Sequence, residues 1–114
     1  MSPVSTNRTK TDLPDEMRRL VELCKSDMHA SEVWLFGSRA RGDFREDSDY
    51  DVLAIIPDDA PRDVDTPVAA FRLRRKSRAY ADLLTARMSD FLAARSTPNT
   101  ISFAVAHDGV RLDA

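Results

Sequence analysis

Between residues 14 and 28 the apolar positions Met17, Leu20, Val21, Cys24 and Met28 recur at helical spacing and define one buried face. Pro14 suits the first turn of that helix, and Asp15 and Glu16 suit its positive end. Val33-Trp34-Leu35-Phe36 is a short, bulky run that stops at Gly37. It predicts a buried strand, with Trp34 packed in the core. Residues 38–41 predict a short helical turn closed by Gly42. Residues 49–56 predict a second strand, polar at its start and then apolar on both faces, the pattern of an interior position in a sheet. Pro57 ends it. Residues 57–67 hold three prolines and four aspartates and predict a loop. A helix is expected over 68–80, with Val68, Phe71 and Leu73 turned inward, followed by a third strand over 81–86. Met88, Phe91 and Leu92 keep helical spacing until Pro98. A last helix over 101–107, capped by Gly109, leads to a final short strand over 110–112.

This alternation predicts an α+β (mixed α/β) fold, a small mixed sheet flanked by helices. A chain of 114 residues suits one core. The expected organisation is a flexible tail over 1–13 and a single domain over 14–114, with no room for a separate acceptor-binding domain. The net charge of -2 exerts no general pull toward nucleic acid or an anionic membrane. The lone Cys24 cannot form an intramolecular disulfide, and its helical face makes packing its role; a reducing cytoplasm is the expected location. No apolar run approaches the ~20 residues of a membrane span, and the first residues lack the hydrophobic segment of a secretory signal.

The candidate chemistry lies between the first two strands. Asp49 and Asp51, two apart on a strand, would project from the same face with Cα atoms roughly 6–7 Å apart. Alone such a pair repels; with Mg²⁺ the repulsion becomes attraction and coordination sites remain for phosphates and water. Two such ions about 3.5–4 Å apart could bracket an in-line displacement at phosphorus. An isolated Asp-X-Asp is more often a solvated turn, but this one follows a glycine-serine turn. Gly37 permits a tight strand exit and close approach to a ligand. The N–H groups that follow attract anions, and the Ser38 hydroxyl can bond a phosphate or cap the turn. Arg39 and Arg41 flank this site. Each could neutralise phosphate or brace the loop; bracing to Asp43, Glu46 or Asp47 is favoured for Arg41, and Arg39 stays open. Glu46 and Asp47 are read as solvated loop charge. Arg72, Arg74, Arg75, Lys76 and Arg78 form a basic run, by default an exposed helical face, otherwise an interface with an acidic partner or RNA. The acidic loop before it could neutralise it. His107 and Asp108 read as a helix end.

Gly37-Ser38, ten intervening residues and Asp49-Tyr50-Asp51 resemble the signature of the DNA polymerase β-like nucleotidyltransferase superfamily. The fuller run Gly37-Ser38-Arg39-Ala40-Arg41-Gly42, then Ser48-Asp49-Tyr50-Asp51-Val52, is similar to its minimal nucleotidyltransferase (MNT) branch, densely over residues 33–56. The resemblance implies the nucleotidyltransferase fold, ATP as substrate, Mg²⁺ as cofactor, and Gly37, Ser38 and Arg39 at the nucleotide. It implies three catalytic, metal-binding carboxylates: Asp49, Asp51 and a third on a neighbouring strand. Asp82, in Ala81-Asp82-Leu83-Leu84, fits that third place, with Asp90 as a rival in a helical setting. It further implies an antitoxin that transfers AMP to a tyrosine hydroxyl of a HEPN-domain toxin. A non-catalytic module that neutralises a ribonuclease toxin by binding is the alternative. Transfer to a small molecule, as in aminoglycoside-modifying relatives, would need an additional domain.

Overall fold

The computed structural model describes residues 13–113. Helix α1 (Asp15–Asp27) leads into strand β1 (Glu32–Phe36) and a single helical turn, α2 (Ser38–Arg41). Strand β2 (Tyr50–Ile56) follows, then a 3₁₀ turn (Arg62–Asp65), helix α3 (Pro67–Ser77) and strand β3 (Ala81–Arg87). Helices α4 (Met88–Ala94) and α5 (Ile101–Asp108) precede the two-residue strand β4 (Val110–Arg111). Local chemistry explains several boundaries. Thr66 caps α3 by accepting from Ala69 N–H, with Pro67 at the first helical position, and Thr100 caps α5 by accepting from Phe103 N–H. Pro14 occupies the N-cap of α1 rather than its first turn.

The four strands form one mixed sheet in the order β3-β2-β1-β4. β1 runs antiparallel to β2 and β4, while β2 and β3 are parallel. The interior place expected for β2 is therefore met, and β3 is an edge strand. On one face, Val33, Leu35, Val52, Ala54 and Ile56 pack against α1 through Met17, Leu20, Val21 and Cys24, and against Leu73 of α3. On the other, Leu53 and Ile55 meet Phe91 and Val105 of α4 and α5, with Trp34 at the border donating Nε1–H to Glu32. No helix among the described residues is long and apolar enough to cross a membrane.

The tail expected over 1–13 lies almost wholly outside the described residues; Leu13, at its end, is buried in the first core. Two inward assignments are corrected. Val68 and Phe71 are 57% and 53% exposed, whereas Leu73 is buried as expected. The inward face of α3 is instead Ala70, Leu73 and Ser77, spaced three and four apart; Val68 and Phe71 share a different face. The helix also stops at Ser77 rather than 80, where Arg78 turns left-handed at φ 64°. Leu92 is exposed, although its neighbour Phe91 is buried. Cys24 is buried beside Asp27, and its thiol is pushed up to about 12, first by desolvation and then by that charge, as suits a packing residue.

A polar clasp ties the last strand to the first. The Asp113 side chain is 3% exposed and accepts from Val33 N–H (3.0 Å), Arg111 Nε (2.7 Å) and Lys25 Nζ (2.9 Å). Burial alone would raise this carboxyl, but those hydrogen bonds outweigh it and hold it well below the usual range. Asp113 therefore ionises more readily folded than unfolded. Its contribution is complete above the unfolded carboxylate value of ~4 and is lost as pH falls below it. Asp113→Asn is expected to cost about 2 kcal/mol at neutral pH and to flatten the acid limb of stability against pH, measured by urea denaturation. The estimate is kept low because Lys25 and Arg111 are 42% and 38% exposed and can be rehydrated.

Candidate active site

Gly37 leaves β1 with φ 76° and ψ −157°, a region that side-chain-bearing residues avoid. The strand pairing explains why a residue without a side chain stands here. Phe36 lies opposite Asp51 on β2, and an ideal Cβ on Gly37 would overlap Asp51 Oδ2. On the other side of β2, Asp51 is in register with Asp82 of β3. Residues in register on neighbouring strands project from the same face. Asp51 and Asp82 thus stand side by side on β2 and β3, and Gly37, just past the end of β1, lies against the Asp51 carboxylate.

Asp51 is half-buried and Asp82 exposed. The Asp51 carboxyl is raised above its ordinary value, first by desolvation, then by the charges of Asp82 and Asp49, with Arg41 pulling the other way. The neighbours that raise it identify the three carboxylates as one electrostatic group. The expected strand start at residue 49 is one residue early: β2 begins at Tyr50, whose N–H donates to Tyr80 O, and Asp49 is exposed just before it. Asp90 lies in the first turn of α4, beyond the far end of β3 and away from Asp51.

A bound cation is a separate matter. Among the described residues, no three His, Cys, Asp or Glu side chains are gathered closely enough to hold a metal ion as they stand. Their chemistry nevertheless suits one: hard oxygen donors that repel one another match Mg²⁺. Among the described residues, Asp49, Asp51 and Asp82 make no side-chain hydrogen bond or ion pair that a cation would have to displace.

At the glycine-serine turn, Gly37 rather than Ser38 takes the N-cap position, and the Ser38 hydroxyl makes no capping bond. Ala40 and Arg41 return their N–H groups to Gly37 O, which leaves those of Ser38 and Arg39 outside the helical ladder. Gly42, at φ 91°, closes the turn by donating to Ser38 O.

Arg39 is committed to the loop. Its Nε and Nη2 donate to Ser48 O at 3.1 and 2.9 Å, and Nη2 also reaches Glu46 O at 3.0 Å. The guanidinium lies between the rings of Phe44 and Tyr50, 4.2 and 4.4 Å from their centroids. In this position it braces residues 44–50. Arg41 pairs with Asp43 at 3.3 Å, one of the bracing contacts expected for it. The aromatic pair around Arg39 was missed in the sequence; an arginine followed at short range by two aromatics was the available signal. Arg39→Lys, which loses the planar fork, is expected to cost about 1 kcal/mol and to speed amide exchange at residues 43–49. Hydrogen–deuterium exchange with mass detection measures this directly.

A mixed sheet that sets a glycine-serine turn beside in-register carboxylates defines a nucleotidyltransferase domain. The chain belongs to that family: the model of the nucleotidyltransferase domain matches residues 17–104. The fold is similar to a crystal structure from Sulfolobus solfataricus described as an inferred nucleotidyltransferase, with TM-score 0.58 and 20% identity, covering 94% of this chain and 85% of that one. It is also similar to a crystal structure of a toxin-antitoxin with AMP-PNP, with TM-score 0.57 and 20% identity, covering 87% of this chain and 73% of that one. At that identity the likeness speaks for the fold. No curated protein matches the chain.

Proposed function

We propose that this chain transfers AMP from ATP to a tyrosine hydroxyl of a partner HEPN-domain toxin and thereby acts as an antitoxin in the cytoplasm. The observation that carries the transferase part is the register of Asp51 with Asp82 on β2 and β3, with Gly37 just past β1 set against the Asp51 carboxylate. The partner and the acceptor rest on the MNT resemblance and on the toxin-antitoxin neighbour of like fold.

In this reading the Ser38 hydroxyl and the N–H groups of Ser38 and Arg39 bind the triphosphate. Arg39 holds the loop that carries Asp49, and Asp49, Asp51 and Asp82 would hold Mg²⁺. When bound, Mg²⁺ supplies Lewis-acid neutralisation of phosphate charge. Asp82 accepts the proton of the acceptor hydroxyl. The acceptor oxygen forms a bond to the α-phosphorus. The bond from that phosphorus to the α,β-bridging oxygen breaks, and pyrophosphate leaves with the electron pair.

The second reading, neutralisation by binding alone, is favoured by one observation: the carboxylates do not form a ready-made metal cage. Incubation with labelled ATP, Mg²⁺ and a purified HEPN-domain toxin separates the two. Intact-mass analysis is expected to show a gain of whole AMP units on the toxin. Absence of nucleotide binding under every metal condition leaves the binding module.

A further inference from the structure

We propose that the free edge of β3, together with the flank of α3, docks an extended acidic segment of a partner protein. The inference deepens the transferase reading and rests on it only for the claim that this partner carries the acceptor.

Among the described residues β3 ends the sheet, so one row of its main-chain groups is paired with no strand. Tyr50 N–H donating to Tyr80 O sets the phase of the parallel ladder. Alternation then turns the N–H and C=O groups of Ala81, Leu83 and Thr85 outward. A groove of about 420 Å³ runs along this edge, with Pro67, Ala70, Phe71 and Arg74 of α3 facing residues 81–85. One end is closed where Asp65 accepts from Thr85 and pairs with Arg87, which itself holds the carbonyls of Pro57 and Ala60. The other end lies at Ala81 and Asp82. Five residues of strand span roughly 17 Å, enough for a short added strand.

The flank is apolar and basic. Four of the seven large exposed hydrophobics among the described residues, Val68, Phe71, Tyr80 and Leu84, belong to β3, its approach or α3. Arg74 and Arg75 lie 5.7 and 5.8 Å from the Phe71 ring centroid. Residues 67–80 contain no acidic side chain. Among the described residues only Lys76 of the basic run pairs with a carboxylate, Asp27 at 3.4 Å, while Asp65 of the preceding loop is taken by Arg87. Asp65 is thus spent elsewhere, and Asp63 lines a separate groove with Arg72 and Lys76 rather than the one beside Arg74. Charge complementarity selects an acidic occupant and disfavours a second copy of this chain, whose α3 would bring like charge. The outward row of alternating donors and acceptors fits a polypeptide backbone. A sugar-phosphate backbone carries no such alternating row of donors and acceptors. A segment seated here passes directly by Asp82, where the proton is accepted.

The test uses a fluorescein-labelled glutamate–tyrosine copolymer as the probe, followed by anisotropy without nucleotide, with lysine–tyrosine copolymer and polyuridylate as competitors. The acidic copolymer is expected to bind, and Phe71→Ser and Arg75→Glu, both at exposed positions, are each expected to weaken it about tenfold with unchanged melting. Amide exchange over residues 81–85 is expected to slow in the complex. Absence of binding, indifference to both substitutions, unprotected 81–85, or displacement by polyuridylate at equal charge overturns the proposal. So does concentration-dependent dimerisation that protects 81–85 without probe. ATP binding, titrated separately, reports on the nucleotide site alone. Loss of one result therefore leaves the other standing.

Discussion

Gly37→Ala is expected to abolish detectable AMP transfer and to destabilise the fold by about 2–4 kcal/mol. Two independent costs combine. The backbone at φ 76° and ψ −157° lies in a region open essentially to glycine, and forcing a side chain there costs on the order of 1–3 kcal/mol. The new methyl would also overlap Asp51 Oδ2, so the carboxylate must rotate or β1 and β2 must part. A displacement of about 1 Å at a reacting group costs on the order of 10²-fold in rate. Here the displaced group is the central one of the three carboxylates. Gly42→Ala provides the comparison. Its φ of 91° is strained too, yet a Cβ there meets nothing within 4 Å, so it should lose stability with far less effect on transfer. Urea denaturation and labelled-ATP transfer, run on both variants, separate strain from collision. A Gly37→Ala protein with ordinary transfer rates would remove Asp51 from the reaction.

Asp49→Asn combined with Asp51→Asn is expected to lower transfer by at least about 10³-fold, the equivalent of roughly 4 kcal/mol of transition-state stabilisation. The same change should leave the fold intact or firmer. Asp51 is raised by burial and by its acidic neighbours, so its ionised form opposes folding. A carboxyl raised in the folded state binds protons more readily there than when unfolded. Stability therefore climbs as pH falls through the raised folded value toward the unfolded one. Asn removes the charge, so the gain in stability should appear at neutral pH and vanish below about pH 4. The pair of readouts also decides between the two functional readings. Lost neutralisation of the toxin with an intact complex supports catalysis, and retained neutralisation supports the binding module.

The site was partly legible before any coordinates. Glycine followed by serine at the end of an apolar run, and Asp-X-Asp at the head of the next, carry local signals of turn and strand start. The structure places both where those signals put them, with β2 beginning one residue later than expected. Asp82 was reached by resemblance and apolar context, and the parallel pairing of β2 with β3 brings it level with Asp51. Arg39 was undecidable, because its partners are two carbonyls and two rings that only the folded loop assembles. Phe71 and Val68 were misassigned because apolar character alone does not phase a short helix whose inward positions include alanine and serine.

By itself the amino-acid order determined the elements: where the helices and strands lie, where glycine and proline interrupt them, and that β2 is interior. Those properties depend on side-chain periodicity and backbone freedom over a few neighbouring residues. Tertiary structure alone decided that β3 is an edge, that Asp82 stands level with Asp51, and that Gly37 must clear that carboxylate. Register and strand order arise from contacts between segments distant in the chain. Their energies come from matching whole faces of a sheet to its covering helices, which no local window contains.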